Sequence, residues 1–306
     1  MTVRYVEVNK EEDGQRLDNY LLRILKGVPK SHVYRLIRSG EVRVNKKRSQ
    51  VSARLSAGDT IRLPPIRMSP EKDIFVGSRL SERLLRCILY EDSHLLVINK
   101  PAGIAVHGGS GLSCGVIEAF RKIRDDLPYL ELVHRLDKDT SGCLILAKKR
   151  SALRAIQKQL EMRLMNKTYW AVLCHPWEGK KKVVVKTCLE KNTLKSGERV
   201  VRVLDEGKLS ETAFVLLENY KHACLIEALP KTGRTHQIRV HSTHIGHPIL
   251  GDTKYGGDMD IPELQKEKTR LYLHAKAIQF TLNEKNYVFE ADIDERFQQT
   301  LKLLRG

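Results

Sequence analysis

Apolar residues near the start of the chain repeat at helical spacing and predict a first helix. They are Leu17, Tyr20, Leu21, Ile24 and Leu25. A second helix fits residues 31–40, SHVYRLIRSG, with Ser31 as its N-cap and Gly40 at its end. The alternating pattern of residues 41–48, EVRVNKKR, predicts a short strand that runs into a turn, and residues 57–64, AGDTIRLP, predict another strand.

Beyond about Ser81, apolar runs of strand length are more frequent than runs with helical period. Predicted strands cover 95–101, 130–136, 143–149, 169–174, 182–190, 212–219, 223–230 and 287–293. Predicted helices cover 115–127, 151–162 and 235–246. Helices separate the strands only in places, so the pattern favours an α+β fold with a mixed, mostly antiparallel sheet and surrounding helices.

The pattern also divides the chain. Residues 68–80 carry proline and charge with little periodicity, as linkers do. We therefore expect a small domain at 1–67, a linker at 68–80 and a larger domain at 81–306. A chain of 306 residues is long enough for two such domains with packed cores.

Charge changes the picture of the small domain. The chain carries 54 Lys and Arg against 37 Asp and Glu, a formal charge of +17. Between Gly14 and Arg67 lie thirteen basic and three acidic residues, so this short segment holds +10 of that excess. A solvated basic face is the alternative, but two helices and a basic hairpin would gather these charges on one surface, which favours nucleic acid. The residues expected to contact RNA are Lys30, Arg35, Arg38, Arg43, Lys46, Lys47 and Arg48.

Other features restrict the class of protein. No apolar run approaches the roughly 18 residues of a membrane-spanning helix, and the first residues lack the apolar core of a signal peptide. We therefore expect a cytoplasmic protein. The six cysteines form no C-x-x-C pair, which indicates reduced, mostly buried residues and neither a disulfide framework nor a zinc site.

Residues 134–142, HRLDKDTSG, lie between two apolar runs and carry more chemistry than a connecting turn needs. Two carboxylates, Asp137 and Asp139, accompany two cations and two hydroxyls. A charged turn whose side chains cap the backbone is the structural alternative. The residues alone do not separate Asp137 from Asp139 as the reactive carboxylate.

Three enzyme classes could use such a loop. An aspartyl-phosphate phosphotransferase also has D-x-D after a strand, but its usual Thr lies two positions after the second Asp, whereas Thr140 follows directly. A metal-dependent hydrolase could use the histidines near residue 240 as metal ligands. This segment, however, contains no H-E-x-x-H motif and no carboxylate before Asp252. Its histidines are His236, His241, His244 and His247. The third class uses a carboxylate, without metal or cofactor, at the anomeric carbon of a sugar.

Two resemblances make the interpretation specific. Residues 14–64 resemble an S4 domain, a small RNA-binding module. HRLDKDTSG resembles the signature of the RluA-type pseudouridine synthases, and further segments follow in that family's order. They are NKPAGIAVHGG at 99–109, NKTYWAVLCH at 166–175, KTGRTHQIRVHSTHIGHPILGDTKYG at 231–256 and LHAKAI at 273–278. In detail the chain is most similar to the branch called ribosomal large subunit pseudouridine synthase C.

The resemblance implies roles for individual residues. Asp137 would be the catalytic carboxylate, and a neighbouring cation would keep it ionised. That cation would be Arg239, with Arg234 as the competing candidate. Tyr169 would stack on the uracil and could accept a proton. Arg135 would fill the space that the flipped uridine leaves in the RNA, as a planar cation can.

Two further residues have less specific roles. Leu273 would supply an apolar wall to the uracil pocket, although an apolar residue in a strand is more often part of the core. His134 is expected to fix the loop by hydrogen bonding, without acid or base chemistry.

The resemblance implies an S4 RNA-binding domain at 1–67 and a pseudouridine synthase catalytic domain at 81–306. The enzyme would isomerise three uridines of large-subunit (23S) ribosomal RNA without cofactor or metal. We expect it to be a monomer whose partner is that RNA. The alternative is a catalytically inactive protein that binds ribosomal RNA or assists ribosome assembly.

Overall fold

The computed structural model describes residues 2–25, 27–66, 76–108, 114–193, 199–264 and 270–306. The chain forms two compact units, Met1–Phe75 and Val76–Gly306. Of the predicted linker, residues 68–75 lie outside the described residues, and residues 78–80 form the first turn of a helix.

The N-terminal unit packs two helices on a small antiparallel sheet. Its elements are β1 (Arg4–Glu7), a 3-10 turn (Lys10–Glu12), α1 (Leu17–Ile24), α2 (Lys30–Arg38), β2 (Arg43–Val44) and β3 (Thr60–Leu63). The strand order is β1-β3-β2. As the apolar spacing predicts, Leu17 and Leu21 of α1 pack with Val33 and Ile37 of α2 in one buried core.

The predicted start of α2 is two residues too late, because Ser31 was expected at the N-cap. The helix begins at Lys30, and Pro29 occupies the N-cap position. The carbonyl of Pro29 accepts hydrogen bonds from His32 N and Val33 N at 2.9 and 3.1 Å, so Ser31 lies inside the first turn. Proline suits a helix start because it has no N–H to satisfy and its φ is already close to helical.

The larger unit contains eleven strands and five helices among its described residues. The strands are β4 (Ile88–Glu91), β5 (Leu95–Lys100), β6 (Glu131–Leu132), β7 (Ser141–Ala147), β8 (Asn166–Cys174), β9 (Lys182–Thr193), β10 (Arg199–Val203), β11 (Lys208–Asn219), β12 (Ala223–Pro230), β13 (Leu273–Leu282) and β14 (Lys285–Glu290). The helices are α3 (Ser78–Arg86), α4 (Val116–Ile123), α5 (Arg150–Glu161), α6 (Gln237–His244) and α7 (Glu295–Arg305), and Pro262–Leu264 form a 3-10 turn.

These strands form a single sheet in the order β10-β9-β11-β12-β8-β13-β7-β5-β4, with β14 beside β13 and β6 beside β7. Among the strand pairs of the described residues, β13 with β7 is parallel and the others are antiparallel. The predicted α+β fold with a mixed, mostly antiparallel sheet is therefore confirmed.

The apolar runs of β5 and β7 are continuous because both faces of this part of the sheet are covered. On one face, Val97 and Ile145 pack with Ile156 of α5. On the other face, Ile98 and Leu144 pack with Phe120 of α4. Buried strands of this kind lose the alternation of a half-exposed strand, and they hold the loop before β7 on a rigid base.

The predicted strand 130–136 is wrong over most of its length, because only Glu131 and Leu132 pair as β6. Val133 N donates a hydrogen bond to the Ile145 carbonyl. Ile145 N, in turn, donates to the side-chain Nε2 of His134 at 3.2 Å and not to a backbone carbonyl, so the strand pairing ends here. The apolar residues at 130, 133 and 136 are buried singly against the core. The sequence pattern also did not predict β1, β4, β10, β13, α3 or α7.

All six cysteines are free thiols, three of them buried and three partly buried. No helix within the described ranges has both the length and the apolar character needed to cross a membrane.

Candidate active site

The larger unit contains a cleft of about 1170 Å³ between the loop before β7, strand β8 and the start of α6. All six residues predicted for catalysis or substrate binding line this cleft. They are Arg135, Asp137, Tyr169, Arg234, Arg239 and Leu273. The acidic pair of the loop is separated by the fold, because Asp139 is exposed and is not among the lining residues.

Asp137 lies at the tip of the loop, where Thr140 N donates to its carbonyl at 3.2 Å and closes a tight turn. Its side chain remains 30% exposed, so the carboxylate can be reached from the cleft. Gly142 ends the turn with φ +109°, and a Cβ there would lie 2.3 Å from the Ala275 carbonyl oxygen. The glycine therefore permits the close approach of β7 and β13 beside the loop that carries Asp137.

A buried lysine at the end of β5 holds the backbone of the same loop. Lys100 is 0% exposed, and its ammonium donates to the carbonyls of Pro101 and Ile104 at 2.8 Å and of Lys138 at 3.0 Å. Burial lowers the pKa of Lys100 to about 7, against the attraction of Asp139 and Asp137. Three carbonyl acceptors match the three donors of an ammonium group, which ties the end of β5 to the backbone beside Asp137.

His134 fixes the other side of the loop, as the sequence predicts. Burial lowers the pKa of His134 to about 4, helped by the charge of Lys167. A neutral imidazole can accept a hydrogen bond, and its Nε2 accepts the bond from Ile145 N. The residue is thereby suited to holding the loop on β7.

Arg239 reaches Asp137 from the first turn of α6. Its Nη1 lies 3.6 Å from Asp137 Oδ2, while its Nε and Nη2 donate to Asp252 at 2.7 and 2.8 Å. Its guanidinium also lies 4.9 Å above the ring of Tyr255. Burial by itself lowers the pKa of Arg239, but the hydrogen bond and charge of Asp252, with that of Asp137, raise it above its ordinary value.

The competing cation, Arg234, has different surroundings. It is exposed on the rim of the cleft, and its Nε donates to the Leu209 carbonyl at 3.4 Å. Its backbone N–H donates to Gln237 Oε1 at 3.0 Å, which fixes the entry of α6. The structure thus brings Arg239 to the Asp137 carboxylate and leaves Arg234 facing the open cleft.

Tyr169 and Leu273 form a wall of the cleft from neighbouring strands. Tyr169 lies on β8 and Leu273 on the adjacent strand β13, where Leu273 is paired with Ala171, two residues after Tyr169. Leu273 is buried, and Tyr169 is partly buried against the apolar clusters on either side. Burial, and then the charge of Asp137, raise the pKa of Tyr169 well above its usual range, so its phenol stays protonated. Arg135, by contrast, is exposed at the mouth of the cleft.

His236 was not predicted as a member of this site. It precedes α6 in the left-handed conformation, with φ 53°. Its Nδ1 lies 2.7 Å from the Tyr255 hydroxyl and its Nε2 lies 3.8 Å from Asp137 Oδ2. Burial lowers the pKa of His236, opposed by the charge of Asp137. The H-Q-I-R spacing, which puts Arg239 three residues further along the chain, was the available signal.

Asp252 was also not predicted as a partner of Arg239. Its buried carboxylate accepts from Lys254 N and Tyr255 N at 3.1 and 3.2 Å, in addition to both bonds from Arg239. The sequence GDTKYG gave no sign of this contact, because the partner lies on another element.

The histidines considered as metal ligands are dispersed. His241 is buried among three hydroxyls, with Ser210 Oγ at 2.8 Å and Thr187 and Thr212 Oγ1 at 3.0 Å. His247 stacks on Trp177 with ring centroids 5.1 Å apart. Within the described residues, no three His, Cys, Asp or Glu side chains are grouped to hold a metal ion.

The N-terminal unit presents the predicted RNA-binding residues to solvent. All seven are exposed: Lys30, Arg35, Arg38, Arg43, Lys46, Lys47 and Arg48. On α2, Lys30 and Arg38 lie over opposite ends of one helical face, 5.2 and 6.0 Å from the ring of Tyr34. The buried side of the helix keeps these cations pointing outward.

Comparison with known proteins identifies both units. The profile of the family described as RNA pseudouridylate synthase matches residues 94–244, and that of the S4 domain matches residues 15–61. Ribosomal large subunit pseudouridine synthase C of Escherichia coli (strain K12) is 50% identical over 312 residues, which cover 100% of this chain and 98% of that protein. The protein of the same name from Yersinia pestis is 48% identical, covering 99% of this chain and 96% of that protein.

A solved structure supports the fold. Human RNA pseudouridylate synthase domain containing 4 has a TM-score of 0.63 and 28% identity, over 74% of this chain and 96% of that one. The resemblances inferred from the motifs are confirmed by these matches over the whole length of the chain. The chain belongs to the RNA pseudouridylate synthase family and joins an S4 domain to the pseudouridine synthase fold.

Proposed function

We propose that this enzyme isomerises uridines of large-subunit (23S) ribosomal RNA to pseudouridine, with Asp137 as its catalytic residue. The observation that carries the proposal is the Asp137 carboxylate in the cleft, with Arg239 Nη1 3.6 Å away. Large-subunit ribosomal RNA as the substrate is supported by the names of relatives that share about half of the residues over nearly the full length.

The isomerisation of uridine to pseudouridine needs few protein groups besides the carboxylate and its neighbouring cation. The C1′–N1 bond of uridine breaks, the uracil turns within the site, and a C1′–C5 bond forms. The proton on C5 is lost and N1 gains one, so no atom is gained or lost overall. The reaction therefore requires neither a redox partner nor a group donor, and we propose that it proceeds without cofactor or metal.

Asp137 would act at the ribose side of the target nucleotide. Its carboxylate can attack C1′, stabilise positive charge that develops there, or support a glycal route, and each route needs it at the same place. Arg239 would orient the carboxylate, because Asp252 holds the guanidinium in a fixed plane. Arg234, exposed on the rim, would bind a phosphate or the backbone of the RNA.

Tyr169 and Leu273 would contact the uracil. An aromatic ring and an apolar side chain on adjacent strands make a flat wall on which a base can stack. Because its pKa is raised, Tyr169 enters the reaction as a phenol, so proton transfer to it requires prior loss of its own proton to a partner. Flipping the base out of the RNA stack costs roughly a few kcal/mol. Arg135 would occupy the position that the base vacates and so offset part of this cost.

Three features of the proposal follow from the relatives and the architecture. We propose that the enzyme acts on three uridines, as the resemblance to the synthase C branch implies. We propose that the enzyme acts as a monomer, as expected from the sequence. We also propose that it acts in the cytoplasm, where ribosomal RNA is made in bacteria.

The decisive experiment compares Asp137→Asn with Asp139→Asn. Both substitutions remove one negative charge from the same loop, but only Asp137 lines the cleft. We expect Asp137→Asn to abolish pseudouridine formation while leaving affinity for ribosomal RNA nearly unchanged, and Asp139→Asn to retain turnover. Formation is measured by tritium release from C5-labelled uridine RNA.

Equal turnover of Asp137→Asn and the wild-type enzyme would defeat the catalytic assignment. Absence of turnover in the wild type, with RNA binding intact, would support the alternative of an inactive ribosomal RNA-binding protein. Assays with EDTA test the phosphotransferase alternative, because that class requires magnesium and a pseudouridine synthase keeps its activity.

A further inference from the structure

One face of the small sheet carries a row of three large polar side chains. In the register of this sheet, Tyr5 of β1 is directly opposite Arg62 of β3, and Arg62 is directly opposite Arg43 of β2. Cross-strand neighbours point to the same face. The next row, Val6, Ile61 and Val44, packs on the core, so the row of Tyr5, Arg62 and Arg43 faces away from it.

This row forms the floor of a groove of about 740 Å³ that is built only from the N-terminal unit. Lys46, Asn45 and Thr60 complete its lining. Asn45 fixes its edge, because its Oδ1 accepts from Thr60 N at 2.9 Å and its Nδ2 donates to Asp59 at 2.8 Å. A hydrogen-bonded edge keeps the groove in one shape.

The two arginines of the groove are held in place by carbonyl oxygens, which do not neutralise their charge. Arg62 Nη1 donates to the Glu41 carbonyl at 2.8 Å, and Arg43 donates to the carbonyls of Gly40 and Lys46 at 3.3 and 3.5 Å. Within the described residues, no carboxylate forms an ion pair with Arg43, Lys46 or Arg62. Glu7 lies one row further along the same face, opposite Thr60, and limits the basic area on that side.

Tyr5 is the aromatic component of the groove and is 66% exposed. A tyrosine that stabilises a core is normally buried. The exposed ring of Tyr5 therefore contributes little to the stability of the fold. A single ring among three cations is a poor match for an apolar protein surface. It matches a nucleotide, whose base offers a flat π-face and whose phosphates offer negative charge.

We propose that this sheet face binds an unpaired nucleotide of the RNA substrate. Its base would stack on Tyr5, and the flanking phosphates would lie on Arg62, Arg43 and Lys46. The inference rests on the proposed RNA-binding function of the N-terminal unit. It adds Tyr5, Arg62 and recognition of an unpaired base to the basic helix surface of Lys30, Arg35 and Arg38, which can bind phosphates of any RNA.

The test uses the full-length protein and two RNA probes, a single-stranded oligouridylate and a blunt-ended RNA duplex without loops. Binding is measured by fluorescence anisotropy over a range of salt concentrations. We expect Tyr5→Ala to weaken oligouridylate binding by about five- to a hundredfold, because a stacked base contributes that much. Its salt slope and its affinity for the duplex should stay unchanged, because the cations that bind phosphate are all retained.

Two variants sharpen the result. Tyr5→Phe keeps the ring and should bind oligouridylate as the wild type does. Arg62→Gln should lower the magnitude of the salt slope for the single strand by about 0.7, the value for one phosphate contact. Because Tyr5 is exposed, thermal melts of both Tyr5 variants should match the wild type. Arg62→Gln loses the bond to the Glu41 carbonyl, so its binding is measured at a temperature at which its melt shows it to be folded.

The outcomes separate this inference from the proposed function. Unchanged oligouridylate affinity in Tyr5→Ala, or equal weakening in Tyr5→Phe, would overturn stacking on this face. A control variant, Arg35→Gln with Arg38→Gln, tests the helix surface independently. If that variant loses duplex affinity while Tyr5→Ala does not affect either probe, the RNA-binding role stands and the nucleotide groove is rejected.

Discussion

Arg239 and Asp252 form a bidentate ion pair, with Nε–Oδ2 and Nη2–Oδ1 distances of 2.7 and 2.8 Å. This geometry uses two of the three guanidinium nitrogens and leaves Nη1 directed toward Asp137, 3.6 Å away. A buried carboxylate outside the loop of Asp137 thereby sets the position of the cation that faces this loop. Such paired bonds fix orientation as well as charge.

Asp252→Asn should therefore reduce turnover, although Asp252 does not contact Asp137. The amide cannot accept both bonds from Arg239, so the guanidinium loses its fixed plane. We expect kcat to fall by about a hundredfold, as small misplacements of catalytic groups cause, with KM changed much less. Steady-state kinetics on an RNA fragment would measure this. Unchanged kcat would mean that Asp137 does not depend on the pair.

Arg239→Lys tests whether one guanidinium must serve two carboxylates. A lysine ammonium is a point charge without a planar fork and cannot hold Asp252 while reaching Asp137. We expect kcat to fall by about a hundredfold or more. Arg234→Lys is the matched control, because it makes the same substitution at an arginine on the exposed rim of the cleft. This variant should have a higher KM and a kcat close to that of the wild type. The reverse pattern would assign Arg234 as the partner of Asp137.

Gly142→Ala should disturb the loop that carries Asp137 by a backbone clash. The added Cβ would lie 2.3 Å from the Ala275 carbonyl oxygen. The alanine would also have to adopt a φ of +109°, which L side chains rarely do. Gly246→Ala is a control with φ +84° and open space around the Cβ. We expect the control to lose about 1–2 kcal/mol from strain alone and Gly142→Ala to lose more, together with activity. Equal free energies of unfolding in denaturant titrations would show that the close approach is unimportant.

Acid should destabilise the larger unit before its carboxylates titrate. Burial lowers the pKa of His134, His241 and His274 to about 4 each. In the unfolded chain these groups titrate near 6.5, so between about pH 6.5 and 4 the unfolded state binds more protons. Their contribution to stability is present above pH 6.5 and is lost as the pH falls through this window. Thermal melts should decline from pH 7 to 5, and a flat profile would contradict the assignment.

His241→Asn is the variant for this test, since it removes one of the three buried groups. The slope of melting temperature against pH between 7 and 5 should be smaller in this variant than in the wild type. An unchanged slope would show that His241 does not contribute to the acid sensitivity.

The basic helix surface should determine the salt dependence of RNA binding. Arg35→Gln with Arg38→Gln removes two exposed cations of α2. The slope of log K against log salt should decrease in magnitude by roughly 0.7–0.9 for each phosphate that the variant no longer binds. Lys285→Gln with Lys182→Gln, on exposed positions of the larger unit, is a charge-matched control. An equal effect in both pairs would indicate non-specific attraction.

Much of the fold was determined locally. The helical spacing of Leu17 and Leu21, the buried run of β7 and the alternating pattern of β2 predict their elements because each depends on nearby residues. The same holds for the motif HRLDKDTSG, whose composition marks a reactive loop. β10 was not predicted, because its pairing with β9 and not its own periodicity stabilises it. α3 does have helical spacing, but its first turn falls in the segment that was assigned to the linker.

Tertiary structure decided which residues of the site meet. The sequence could not choose between Asp137 and Asp139, or derive Arg239 over Arg234 without the family resemblance. In each pair the same chemical group occurs twice within a short segment, and only the folded chain decides which one faces the cleft. The contacts of Asp252 and His236 likewise depend on α6 and its neighbouring loops meeting in space. Local sequence supplies the chemical groups and the elements that carry them, whereas the packing of distant elements sets the distances at which those groups act.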